Sequence, residues 1–261
     1  NLAMNTEIIE DQLFGNTENA FVLFEYRKEL DLLKDFIEYA EDAVECNKTE
    51  SMDSYEGICY VFAKSIIGYA KMIYDNILIG HFDSARMIVR AMIENNVHLD
   101  ILFNNPEEEL WKYYLVYSYR HSLIRIKKEA PEKIEKCIRN LYSFYKIPEE
   151  FYEKRDKGKA YIDLPYGWSY KINKQFNFRG LCEFVNAREY NDFSFMSDYS
   201  HGTAFHQKLV GSIFHENMMT LFSCIYAGIY KLVTLYCNDC VDDSFYGIAE
   251  DLQNDILLKI E

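Results

Sequence analysis

Met218 to Cys237 reads MMTLFSCIYAGIYKLVTLYC, and from Asn217 to Asn238 the only charged residue is Lys231. A bilayer span needs ~20 apolar residues, so the stretch has the length of one. Two features oppose that reading. A lysine at the centre of a span costs roughly 2.5–3.5 kcal/mol, and the flanks (Glu216; Asp239, Asp242 and Asp243) are acidic where an anchoring cluster of Lys and Arg would be needed. The stretch is therefore expected to be the buried central helix of a soluble bundle, with no membrane as partner, because a helix apolar on nearly all sides belongs inside a core.

The rest of the chain is consistent with this. Only 11 Gly and 4 Pro are spread over 261 residues, too few turn formers for a many-stranded sandwich or barrel. With 49% apolar residues the chain can bury a sizeable core, and 27% charged with 16% aromatic excludes a disordered chain. Apolar residues recur at spacings of three and four from Asn19 to about Cys46, through Phe21, Phe24, Leu30, Leu33, Phe36, Ile37 and Ala40. The pattern returns from Tyr55 to Ile79 through Tyr60, Ala63, Ile67, Ala70 and Ile73. Gly80 then supplies a stop, and Asp83-Ser84 an N-cap for a helix from about Ala85 to Phe103.

Pro106 is expected to open a fourth helix to about Lys128, with Glu107, Glu108 and Glu109 in its first turn, and Pro131 a fifth that fades near Lys146. Further helices are expected after Pro148, at Arg179 to Arg188, Asn191 to His201, Phe205 to Cys237 and Asp243 to Lys259. Between them, Lys154 to Asn177 loses periodicity and carries Gly158, Pro165 and Gly167 among Tyr161, Tyr166, Trp168 and Tyr170. It reads as a long peripheral loop whose aromatic residues pack in part onto the bundle. The expected fold is all-α, a multi-helix bundle of about eight to ten helices in one domain over 1–261, built around the apolar C-terminal helix.

Charge and thiols narrow the function classes. A net charge of −14 repels phosphate backbones, and the one basic region is 120–159, with 12 Lys and Arg against 7 Asp and Glu. Its signs are interleaved, as in Glu132-Lys133-Ile134-Glu135-Lys136, which describes a solvated helical face, so nucleic acid is expected as a partner only through this segment. Seven cysteines, an odd number at scattered positions, fit a reducing cytoplasm and no disulfide framework. Cys237-Asn-Asp-Cys240 has redox or zinc spacing without a second pair nearby, and reads as two thiols at a helix end. Asn1 to Asp11 lacks the basic-then-apolar order of a signal peptide.

Two constellations carry possible chemistry. Arg86, Arg90, Glu94 and His98 follow one another at four-residue steps, each advancing about 40° around the helix axis, so Arg90 and Glu94 share a stripe. Met87, Ile88, Ala91, Met92, Val97, Ile101 and Leu102 make the same helix too apolar for that stripe to be fully exposed. Downstream, Ser197 and His201 lie four apart before Gly202, within reach of a common hydrogen bond. Glu94, His98, His201 and, beyond a break at Gly202, His206 are the residues able to ligate a metal. The plainer reading of the histidines is a hydrogen-bonded core without metal, and of Arg90, Glu94, Ser197 and His201 a buried network that sets helix register.

Arg90-x-x-x-Glu94 in an apolar helix, Trp168, Tyr190 and Ser197-x-x-x-His201-Gly202 together resemble a widespread bacterial all-helical family of unknown function, DUF5677, over roughly Tyr55 to Leu235. The resemblance implies an intracellular bundle in which Arg90, Glu94, Trp168, Ser197 and His201 approach one another; it implies no reaction and no cofactor. A looser similarity is to the HEPN superfamily of helical nucleotide-binding and ribonuclease domains, which places an Arg four to six residues before a His. Here Arg90 to His98 and Arg188 to His201 are too far apart, while Arg120 and His121 are adjacent and point different ways.

Three functions follow. The first is a binding or regulatory module for a small molecule or a protein, as a homodimer in one form, with a polar site of Arg90, Glu94, Ser197 and His201. The second is an RNA-cleaving or nucleotide-modifying defence enzyme. The third is a metal-dependent helical-bundle enzyme. By elimination the first is preferred.

Overall fold

Apolar side chains three and four apart on successive segments can be buried only by helix packing against helix, and the computed structural model has that form. It describes residues 24–126, 130–154, 158–186 and 214–260. Among them are nine α-helices, four short 3-10 turns and no strand. The helices are α1 (Arg27–Cys46), α2 (Tyr55–Leu78), α3 (Phe82–Asn104), α4 (Leu110–Arg125), α5 (Pro131–Phe144), α6 (Glu149–Tyr152), α7 (Phe178–Phe184), α8 (Phe214–Tyr236) and α9 (Asp243–Ile260).

The described residues fall into two compact units. To the first belong α1, α2 from Phe62 onward, α3 as far as Asn96, α8 and α9. Helix α8 is its core element: Met218, Met219, Leu221, Phe222, Ile225, Ile229, Leu232 and Val233 are all buried. It packs on α1 and α9, and Gly228 lets it close on α3, since a Cβ there would fall 2.8 Å from Met92 Cε. Each such apolar side chain contributes roughly 1.5–3 kcal/mol when fully buried. Met218–Tyr236 is long and apolar enough to cross a membrane, and its exposed positions are Thr220, Ala227, Tyr230 and Thr234.

Around α8, Phe36 of α1 stacks on Tyr226 at 5.6 Å and on Phe245 of α9 at 4.9 Å. The α1–α2 register is marked by Lys64, paired with Glu41 and Glu45, and Lys71, paired with Glu41. These pairs are partly exposed and each is worth about 0–1 kcal/mol. The expected apolar face of α1 is observed from Leu30 to Ala40, but Phe24 is 72% exposed. The helix begins at Arg27, so its register does not reach back to Phe24.

The second unit holds the start of α2, α3 from Val97, and α4 to α7. Ser54 caps α2, its hydroxyl accepting the Gly57 N–H at 3.0 Å. At the other end of α2, Gly80 takes φ 71° while its N–H reaches the Ile77 carbonyl and that of His81 the Asn76 carbonyl, a Schellman stop at the expected glycine. Two expected boundaries differ. Helix α3 starts at Phe82, ahead of Asp83-Ser84. Pro106–Glu108 form a separate 3-10 turn, and Glu109, left-handed at φ 50°, precedes α4, so the three glutamates lie outside its first turn.

Helix α5 ends with the same hydrogen bonds as α2, but Lys146 occupies the left-handed position, with φ 52°. A side chain with a Cβ pays about 1 kcal/mol there. Lys146→Gly is therefore expected to raise stability by up to about 1 kcal/mol, read as a higher urea midpoint.

The described part of the 154–177 segment packs its aromatic residues into the second unit. It contains two 3-10 turns, Tyr161–Asp163 and Gly167–Ser169, and buries Ala160, Ile162, Trp168, Ser169, Tyr170 and Asn173, with Trp168 only 1% exposed. Tyr170 meets Tyr113, Phe151 and Tyr161 at centroid distances of 5.4, 5.4 and 4.5 Å. Aromatic density there supplies the core of the second unit in place of helical periodicity.

Candidate functional site

Arg86, Arg90, Glu94 and Asn96 of α3 lie in the first unit. Arg86 is buried, 5% exposed, and its guanidinium meets Asp83 one turn back at 3.3 Å. Arg90 and Glu94 follow at four-residue steps and are half-buried, with the Arg90 Nε atom shut off from solvent. Asn96 is 3% exposed. Its amide donates to the Met92 carbonyl at 3.2 Å, while its Oδ1 is buried and accepts no hydrogen bond from the described residues. Gly228 of α8 lies against this amide: a Cβ there would stand 3.4 Å from Asn96 Nδ2. Met92 and Asn96 thus form the face of α3 that meets Gly228 of α8, while Arg90 and Glu94 lie on a different stripe of the same helix.

His98 lies in the second unit and is only 7% exposed. Its ring meets the edges or faces of Trp168 at 5.2 Å, Tyr114 at 5.8 Å and Tyr166 at 6.0 Å. Trp168 and Tyr114 also meet edge-on at 5.4 Å. Burial among these rings pushes the imidazole pKa down to about 3. His98 is therefore neutral at any physiological pH and serves as a hydrogen-bonding or packing group, not as a charge. Tyr166 adopts the left-handed conformation, φ 51°, a costly one for a bulky residue.

Arg120 and His121, expected to point different ways, both reach the Tyr161–Asp163 turn. Arg120 pairs with Asp163 at 2.5 Å, and the His121 imidazole hydrogen-bonds the Ile162 backbone. Burial, then the neighbouring Arg120 charge, lowers the His121 pKa. The signs on α5 are interleaved on an exposed face, as Glu132, Lys133, Glu135, Lys136 and Arg139 show. Among the described residues no three His, Cys, Asp or Glu side chains converge as a metal site. Tyr190, Ser197, His201 and His206 lie outside the described residues, so of the expected site Arg90 and Glu94 are the members whose placement is known.

A sequence profile matches residues 55–217, well over half of the chain. The chain belongs to DUF5677, a family of unknown function. No curated protein and no solved structure matches it. The DUF5677 match begins at the first residue of α2 and takes in Arg90, Glu94, His98, Trp168, Ser197 and His201, leaving out α1, α9 and all but the first four residues of α8. Within the DUF5677 segment, sequence reasoning missed Asn96 and the ring partners Tyr114 and Tyr166 of His98. An asparagine in mid-helix has no spacing signal of its own, and rings brought together from α3, α4 and a 3-10 turn share no local pattern.

Proposed function

We propose that this DUF5677 chain is a binding or regulatory module. Its ligand, a small molecule or a protein segment, is held at the polar edge of α3 by Arg90 and Glu94, with Ser197 and His201 as further members of the site. The observation that carries the reading is the half-burial of two opposite charges one turn apart on a core helix. A helix that only packed would be stabilised by apolar residues at these positions, because charge taken out of water costs free energy unless it is well partnered. A few placed charges on an otherwise apolar wall are what fixes a ligand's orientation in a binding site.

The chain is further proposed to work in water, in a reducing compartment such as the cytoplasm. Support comes from the Thr220, Ala227, Tyr230 and Thr234 stripe on α8 and from seven cysteines that are all free thiols. The experiment is a thermal-shift screen of the purified protein against carboxylates, amines, nucleotides and short RNAs, run in parallel on Glu94→Gln. Compounds that raise the melting temperature of the wild type and not of the variant are expected. Equal shifts in both proteins would place binding elsewhere.

A further inference from the structure

The Cys237-x-x-Cys240 pair acquires a third thiol in the folded chain. Helix α1 ends at Cys46, and the next residue, Asn47, donates its side-chain amide to Cys240 Sγ at 3.4 Å, although 193 residues separate the two. Cys46, the residue before Asn47, lies close enough to Cys240 to be among the groups that raise its thiol pKa. Cys240 belongs to the 3-10 turn Asn238–Cys240 between α8 and α9, which packs against both α1 and α8. All of these residues lie in the first unit. Cys46 is exposed, Cys240 half-buried and Cys237 buried.

We propose that Cys46 and Cys240 form a peroxide-reactive thiol pair that closes reversibly into an intrachain disulfide. The exposed Cys46 sulfur attacks one oxygen of a hydroperoxide, breaking the O–O bond to give Cys46 sulfenic acid and releasing water, or an alcohol from an organic peroxide. The Cys240 sulfur then displaces the hydroxyl from Cys46, forming the S–S bond and releasing a second molecule of water. Two thiols lose two electrons and two protons, and the peroxide takes them up. The Asn47 amide, already on the Cys240 sulfur, favours its anionic form in the second step, against the burial that raises that thiol's pKa. Such transient disulfides are the kind a reducing compartment tolerates. Once closed, the bond ties the end of α1 to the α8–α9 turn across most of the chain length, which restricts the unfolded state more than a short loop would.

The test treats the full chain with hydrogen peroxide at a small molar excess and maps non-reduced tryptic peptides by mass spectrometry. A Cys46–Cys240 peptide is expected. The free-thiol count should fall by two from seven, the melting temperature should rise by several degrees, and dithiothreitol should reverse all three. Cys46→Ser, a change at an exposed position, should abolish the crosslinked peptide with helicity unchanged. Cys137→Ser, at an exposed thiol of α5, should leave it in place. A dominant Cys237–Cys240 peptide, or Cys46 carried to sulfinic acid with no crosslink, would overturn the proposal.

Discussion

Gly167→Ala loses about 3 kcal/mol or more of folding stability, near the upper end of what a single added methyl group does. A Cβ on Gly167 would stand 1.8 Å from the Tyr161 carbonyl oxygen and 2.8 Å from its carbon, both backbone atoms. No rotamer change relieves that, so one of two 3-10 turns must move. The Tyr161 carbonyl accepts the Leu164 N–H at 3.0 Å, and the Gly167 N–H reaches the Leu164 carbonyl at 3.0 Å, so displacement breaks bonds on both sides. Trp168, the next residue, is among the most buried large side chains and would be levered out of its contacts with His98 and Tyr114. Urea titration followed by fluorescence reads the effect, since Trp168 and Trp111 are the two tryptophans of the chain. Gly68→Ala, where an added Cβ meets nothing within 4 Å, is the control and should be neutral or slightly stabilising.

Acid should destabilise the protein through His98. In the unfolded chain its imidazole titrates near 6.5, and in the folded chain at about 3. Between those values the unfolded state binds a proton that the folded state refuses. The stability this group contributes is fully present above pH 6.5 and is lost as pH falls toward 3, at about 1.4 kcal/mol per pH unit. Denaturation midpoints at pH 7, 6, 5 and 4 should therefore fall more steeply for the wild type than for His98→Phe, which keeps an aromatic ring among Trp168, Tyr114 and Tyr166. Hydrogen bonding lost in the variant adds an offset that does not depend on pH and leaves the difference in slope intact. Parallel slopes would mean that His98 takes up its proton in the folded protein.

Elements with strong local rules were legible from the sequence alone. Tyr55–Leu78 was expected to within one residue because its apolar period is unbroken and Gly80 ends it in the one conformation glycine tolerates best. The Pro106 region misled because proline and three glutamates satisfy a 3-10 turn as well as the start of an α-helix. In the 154–177 segment the extent of burial was not legible. Its turns have no periodicity, and what buries Trp168 and Tyr170 is rings from distant segments, a tertiary effect no window of sequence contains. The same holds at the site. The four-residue step placed Arg90 and Glu94 correctly on a half-buried edge, since that step is a property of one helix. Asn96 depends on the glycine of another helix that packs beside it, and Asn47 meets Cys240 only after α1 has packed near the α8–α9 turn.

The claim that Arg90 and Glu94 belong to a recognition site, and not to the scaffold, is tested most directly by thermal unfolding of the wild type, Glu94→Ala and His201→Ala, with helicity checked by circular dichroism. A site held for a ligand keeps charges that do not help folding, so both variants should melt at the wild-type temperature or above it. Losses of roughly 2–4 kcal/mol, seen as melting points several degrees lower, would show that the residues hold the helices in register and would contradict the site.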